Sequence, residues 1–172
     1  FLSVRRPDTT RVWNFQISFR ETLGTVNVTS WPQAFKNAGW MVSGMGKVYH
    51  PGEPAHDDTP LSWSSEWPYF HPSNFSSKIA NLSDSHFEDG MITDVGVQRL
   101  ADFRHQIDAD VAAGKTPRPF FLAVGIHKPH VPWVMPQKFL DMQPPENVTD
   151  VAVHQLPPEG YCNVSLYRCT VR

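Results

Sequence analysis

The chain has 172 residues, of which 40% are hydrophobic, 12% aromatic and 19% charged, enough apolar material for one packed core and too much for a disordered segment. Fifteen Lys and Arg against 17 Asp and Glu leave a formal net charge of −2, so the basic footprint that general nucleic-acid binding requires is absent. No run of roughly 18 apolar residues offers a membrane span, and Phe1 opens no charged-then-apolar leader, so any signal peptide is expected outside this sequence.

The first predicted element is a helix. Ser30 is an N-cap residue, Pro32 sits in the first turn, and Gly39 supplies the stop. A continuous apolar strand is expected over residues 40–48, bounded by Gly39 and by Pro51-Gly52. Residues 51–89 are rich in Ser, Asp and aromatic side chains and carry four further prolines at 54, 60, 68 and 72. That stretch is too long for a passive connector and reads as an excursion facing a substrate, with Trp63 to Phe75 either buried beneath it or lining a sugar-binding surface.

Residues 93–113 then place Val97, Leu100, Ala101, Ile107 and Val111 at near-helical spacing, which predicts an amphipathic helix ending at Gly114. A second apolar strand is expected over residues 120–126, preceded by Pro119 and followed by His127-Lys128-Pro129-His130. Both runs lack alternation, which suits central strands covered on both faces. Helix followed by apolar strand, twice, is the pattern of an α/β layer with a parallel sheet. Periodicity fades after Pro144, and residues 161–172 match no element; Cys162 and Cys169 there are either a local staple or stray thiols.

Five of the seven asparagines, Asn27, Asn74, Asn81, Asn147 and Asn163, open an Asn-X-Ser/Thr sequon. Ser and Thr are scarce enough that chance would supply about one. This usage points to a secreted or lysosomal glycoprotein with glycans on surface loops.

The chemistry-bearing residues gather after the two strands. In an open α/β sheet, ligands bind beyond the carboxyl ends of the strands. The first run delivers Gly46-Lys47-Val48-Tyr49-His50 and the second Gly125-Ile126-His127-Lys128-Pro129-His130. Two Lys and three His on one rim suit an anionic ester: Lys neutralises developing charge, and His moves protons near neutral pH. The alternative is that each His is an ordinary loop residue. Arg5-Arg6-Pro7-Asp8-Thr9-Thr10-Arg11 is either an anion-binding patch or a solvated loop. Asp57-Asp58 and the acids of residues 84–94 lack calcium-loop spacing and are expected in turns and at a helix N-terminus. Tyr49 and Trp133 are expected to be packing residues.

Four blocks occur in one order: residues 5–11, residues 46–52, Ser62-Trp63-Ser64 with Tyr69-Phe70-His71-Pro72-Ser73, and residues 120–132 from Phe120 through His130 to Pro132. Together they resemble the type I sulfatases over residues 1–149. The resemblance implies an alkaline-phosphatase-like α/β fold with a central, largely parallel sheet flanked by helices. Residues 1–150 would be part of the catalytic domain and residues 151–172 a divergent tail. It implies hydrolysis of sulfate esters, with sulfated uronic acids of glycosaminoglycans as the substrate class. It further implies a calcium ion and a formylglycine, made from the Cys (or Ser) of Cys-X-Pro-Ser-Arg and expected upstream of Phe1. The calcium ligands, like that signature, are expected outside residues 1–172.

Carried onto matching positions, the resemblance assigns Lys47 to the formylglycine oxygens and the sulfate. It makes His50 the base of the hydrated aldehyde and gives His127 contact with the ester and its leaving oxygen. Lys128 and His130 share the motif and are expected near substrate. Attack on sulfur needs an activated nucleophile and a neutralising cation, so the 172 residues alone are expected to be inactive. The competing readings are a non-catalytic secreted glycoprotein that binds sulfated glycans, and a phosphoesterase of the same superfamily.

Overall fold

A computed structural model describes residues 2–14, 16–24, 28–50, 52 and 56–143. The chain divides into two compact units, Phe1–Lys138 and Phe139–Arg172. Of the second, only residues 139–143 are described, where the short helix Gln137–Asp141 ends; the cysteines and Asn163 lie outside the described residues.

The first unit opens with two short helices, α1 (Pro7–Thr10) and α2 (Phe19–Leu23), followed by α3 (Trp31–Asn37). As the sequence predicts, Ser30 caps α3: its Oγ accepts the Gln33 backbone N–H at 3.2 Å, and Gln33 Oε1 accepts the Ser30 N–H at 3.3 Å. This reciprocal pair satisfies two donors that a helix start leaves open. Gly39, at φ +83°, turns the chain out of the helix.

Strand β1 (Met41–Gly46) pairs in parallel with β2 (Phe120–Gly125), with Met41 opposite Phe120 and Gly46 opposite Gly125. Among the described residues the expected parallel α/β layer is therefore present as a two-stranded sheet. All six residues of β1 are buried. Alternate side chains feed two clusters: Val42 packs with Tyr49, Trp63 and Tyr69, and Met41 with Trp67 and Phe103. On the edge away from β2, the Ser64 N–H donates to the Val42 carbonyl at 2.9 Å and the Phe70 N–H to the Gly44 carbonyl at 3.0 Å. Residues 62–70 therefore complete the strand's hydrogen bonding. The long excursion is in this stretch a structural wall: Trp63, Trp67 and Tyr69 are all buried.

Three sequence expectations need correction. β2 is not covered on both faces, because Phe120 and Val124 are exposed. Apolar composition cannot tell a strand that is covered from one that is capable of being covered. The second long helix, α4, runs over Glu88–Ala112 and starts five residues before the expected 93. Its buried positions are Ile92, Gly96, Phe103 and Asp110, whereas Val97, Leu100 and Val111 of the expected stripe are exposed. The helix is turned so that small Gly96 meets Met45 and Val124, and close approach decided the face rather than hydrophobic count. Trp133 is not packed but 65% exposed.

A second buried assembly ties the excursion to the N-terminal helices. Arg20 Nε donates to Asp58 Oδ1 at 3.0 Å, and the second guanidinium nitrogen reaches Asp58 Oδ2 at 2.6 Å, a two-point ion pair with both side chains nearly sequestered. Ser62 and Tyr49 add hydroxyl contacts to the same carboxylate, and Ser30 contacts Ser62. Asp58 thus has a structural partner in Arg20. Burial pushes the Tyr49 phenol up to about 12, so it stays a neutral donor across the physiological range.

Candidate functional site

The parallel register fixes where the polar residues emerge. Gly46 and Gly125 face each other at the strand ends, and both must be glycine. A Cβ on Gly46, which sits at φ +68°, would collide with the Gly125 carbonyl and with Ile92. A Cβ on Gly125 would strike the Lys47 backbone. This closeness lets the Lys47 N–H donate to the Gly125 carbonyl at 2.7 Å, extending the ladder by one bond into the loop. Lys47 and the His127-Lys128 dipeptide consequently leave the same sheet edge.

Tyr69 holds the first loop. Its hydroxyl donates to the Gly46 carbonyl at 2.5 Å and accepts the N–H groups of Val48 and Tyr49 at 3.3 Å each. The ring is buried against Tyr49 and Trp63, and burial raises the phenol above its usual value. A single side chain therefore serves three backbone groups that a turn would otherwise leave unpaired.

The second loop is held from α4. Asp89 accepts the His127 N–H at 2.6 Å and the Lys128 N–H at 3.1 Å, one on each carboxylate oxygen. Glu88 Oε1 stands 3.3 Å from His127 Nδ1. His130 packs edge-on against His127, with ring centroids 5.0 Å apart. Trp133 donates its indole N–H to the Pro129 carbonyl at 2.9 Å. The sequence reading placed these acids at a helix N-terminus but did not see what they hold. The available signal was two consecutive acids at the start of a long helix.

His127 sits below the ordinary histidine value. Burial is the main cause; Glu88 works against it, and Lys47, Lys128 and His130 add to it. Lys47 follows β1 directly, and its backbone N–H meets the Gly125 carbonyl two residues before His127. His127 and Lys128 line a cavity of about 290 Å³ with Phe75, Ser76, Ser77 and Glu88. His50, which is exposed, instead lines a second cavity of about 360 Å³ with Arg5, Thr10, Phe19, Val48 and Tyr49. The described residues thus bring Lys47, His127, Lys128 and His130 to one rim and give His50 a neighbouring hollow with the first basic cluster. Among the described residues no three His, Cys, Asp or Glu side chains gather to hold a metal ion, and no helix is long and apolar enough to cross a membrane.

Direct comparison with known proteins finds similarity to enzymes named as sulfatases. The chain is 38% identical over 180 residues to iduronate 2-sulfatase of Mus musculus and, equally, to iduronate 2-sulfatase of Homo sapiens. Each alignment covers 94% of this chain and 32% of the relative, so the chain spans about a third of the length of the curated relatives it matches. No protein-family model matches the chain.

The Tyr69 arrangement gives a direct expectation. Tyr69→Phe keeps the ring but leaves the Gly46 carbonyl and two amides without their partner, a loss of about 1–3 kcal/mol. Amide hydrogen exchange at Val48 and Tyr49 should quicken while exchange in α4 changes only by the global destabilisation. Unchanged protection at Val48 and Tyr49 would show that the loop does not depend on Tyr69.

Proposed function

We propose that this chain is the sulfate-recognising part of a sulfuric ester hydrolase like iduronate 2-sulfatase, acting on sulfated uronic acids of glycosaminoglycans. The observation that carries the reading is that Lys47 and His127 follow the ends of adjacent parallel strands at one edge, together with 38% identity to two enzymes of that name. The finer fold in this reading is the alkaline-phosphatase-like α/β sheet, of which β1 and β2 are two strands.

Each residue has a role its chemistry allows. The Lys47 and Lys128 ammonium groups neutralise the sulfate oxygens. His127, with a depressed pKa, is neutral near pH 7 and accepts hydrogen bonds readily; once protonated it donates to the leaving alkoxide. His130 borders His127 and contacts the sugar side of the ester. His50 is the base on the nucleophile's side, approached from the cavity it lines with Arg5.

A formylglycine would supply the hydrated-aldehyde nucleophile, and calcium would neutralise the sulfate. The residues described here do not form a calcium cage, and neither Cys162 nor Cys169 opens Cys-X-Pro-Ser-Arg.

The test is ligand binding followed by NMR on the labelled 172-residue chain, comparing iduronic acid 2-sulfate with unsulfated iduronic acid. Shifts at Lys47, His127 and Lys128 with the sulfated sugar only, lost in Lys47→Ala, are expected. Equal responses to both sugars would overturn the reading, and a matching response to the phosphorylated sugar would favour a phosphoesterase.

The same reading places the protein in the secretory pathway as a lysosomal or secreted glycoprotein. Asn74 and Asn81 are exposed, which an N-linked oligosaccharide requires; Asn27, Asn147 and Asn163 lie outside the described residues. Protein made in a secretory host should lose apparent mass on endoglycosidase treatment, and less so after Asn74→Gln and Asn81→Gln. A mass unaffected by the enzyme would contradict the glycoprotein assignment.

A further inference from the structure

The acids at the head of α4 do something that neither helix capping nor surface solvation explains. Phe87, the N-cap residue of α4, offers no side-chain cap, and Glu88 and Asp89 follow it in the first turn. Acids there interact favourably with the helix dipole, yet both carboxylates also reach across to the loop after β2. Asp89 takes both backbone N–H groups at His127 and Lys128, which pins that peptide segment against the helix. With the backbone fixed, Glu88 Oε1 stands 3.3 Å from His127 Nδ1, with the His127 and Glu88 side chains 23% and 18% exposed. The groups acting on the ring are Lys47 from the end of β1, Lys128 and His130 from its own loop, and Glu88 from α4, while Asp89 holds the backbone beneath it. Glu88 is the anion against which three cationic or titratable neighbours compete.

We propose that Glu88 is a positioning residue for His127: its carboxylate draws the imidazole proton to Nδ1 and leaves Nε2 as the nitrogen that takes up and releases the proton at the rim. A neutral histidine carries its hydrogen on one nitrogen, and the partner of that nitrogen selects which. An ionised carboxylate has no proton to offer, so its charge 3.3 Å from Nδ1 favours the tautomer with the hydrogen on that nitrogen. Protonation at Nε2 then yields an imidazolium whose Nδ1–H charge is balanced by Glu88, while Nε2–H is available to an oxygen of an anionic ester. The assignment rests on the sulfate-ester reading only for the identity of that ester.

Two-dimensional ¹H–¹⁵N multiple-bond spectra of histidine-labelled chain test the proposal, with His127→Gln to assign the resonances. Above its titration, His127 of the unaltered chain should be in the Nδ1–H tautomer. Glu88→Gln should reduce that population and move the His127 pKa further down, because the anion that favours the charged ring is gone. Glu88→Asp, which keeps the charge, should give a pKa between the two. A helix-capping role alone would move neither quantity. An Nε2–H tautomer in the unaltered chain, readable whether or not any variant folds, would overturn the proposal, as would a His127 pKa indifferent to Glu88→Gln. Addition of inorganic sulfate forms the separate arm. Sulfate should raise the His127 pKa by neutralising Lys47 and Lys128. Absence of that response with the Nδ1–H tautomer intact would leave the role of Glu88 standing and remove only the sulfate reading.

Discussion

The parallel pairing of β1 with β2 is the constraint on which the rest depends. Six paired residues bring Gly46 opposite Gly125, and the absence of a Cβ at both positions lets the next amide, that of Lys47, bond across the strand ends. Any side chain at either glycine would force the loops apart. Pairing by itself is a weak unit, since two strands alone are marginal in water. Here β1 is covered on its other edge by residues 62–70 and packed by Trp63, Tyr69 and Trp67. The sheet is held by its aromatic wall as much as by its own ladder.

Charge is organised around that edge in opposing layers. Lys47 and Lys128 bring positive charge to the rim, and the anionic groups Glu88 and Asp89 are committed to the loop that carries His127. Cations and acids set side by side around His127 shape the local field that an anion would meet. Away from the rim, the other acid–base pair has a different task. Arg20 and Asp58 are both buried, and their two-point contact fastens the excursion to α2 and α3. Breaking such a pair leaves a lone buried charge, which is far more costly than the pair is favourable.

The sequence made some of this legible and hid the rest for physical reasons. Helix α3 was readable because its cap is local: Ser30, Pro32, Gln33 and Gly39 act within ten residues of one another. The strands were readable as apolar runs bounded by Gly and Pro, but the expected 40–48 and 120–126 overran the observed ends at Gly46 and Gly125, because apolar composition continues past the last paired residue. The buried face of α4 was not readable, because Gly96 faces the sheet for closeness and Val97 beside it is merely exposed. Long-range partners were also invisible. Asp58 and Arg20 are 38 residues apart, as are Asp89 and His127, and no local pattern marks either pair. His50 is the clearest limit: three residues after Lys47, it nonetheless lines the neighbouring cavity with Arg5, because Val48 and Tyr49 carry the chain past the edge.

The central claim is that Lys47 and His127 share one rim because β1 and β2 run parallel in this register. Nuclear Overhauser contacts on the labelled chain test it most directly. The account predicts cross-peaks between the Lys47 amide proton and the Hα protons of Gly125 and Ile126, together with slow exchange of the Lys47 amide. Absence of those contacts, or a pattern of facing Hα protons that signals antiparallel strands, would contradict it.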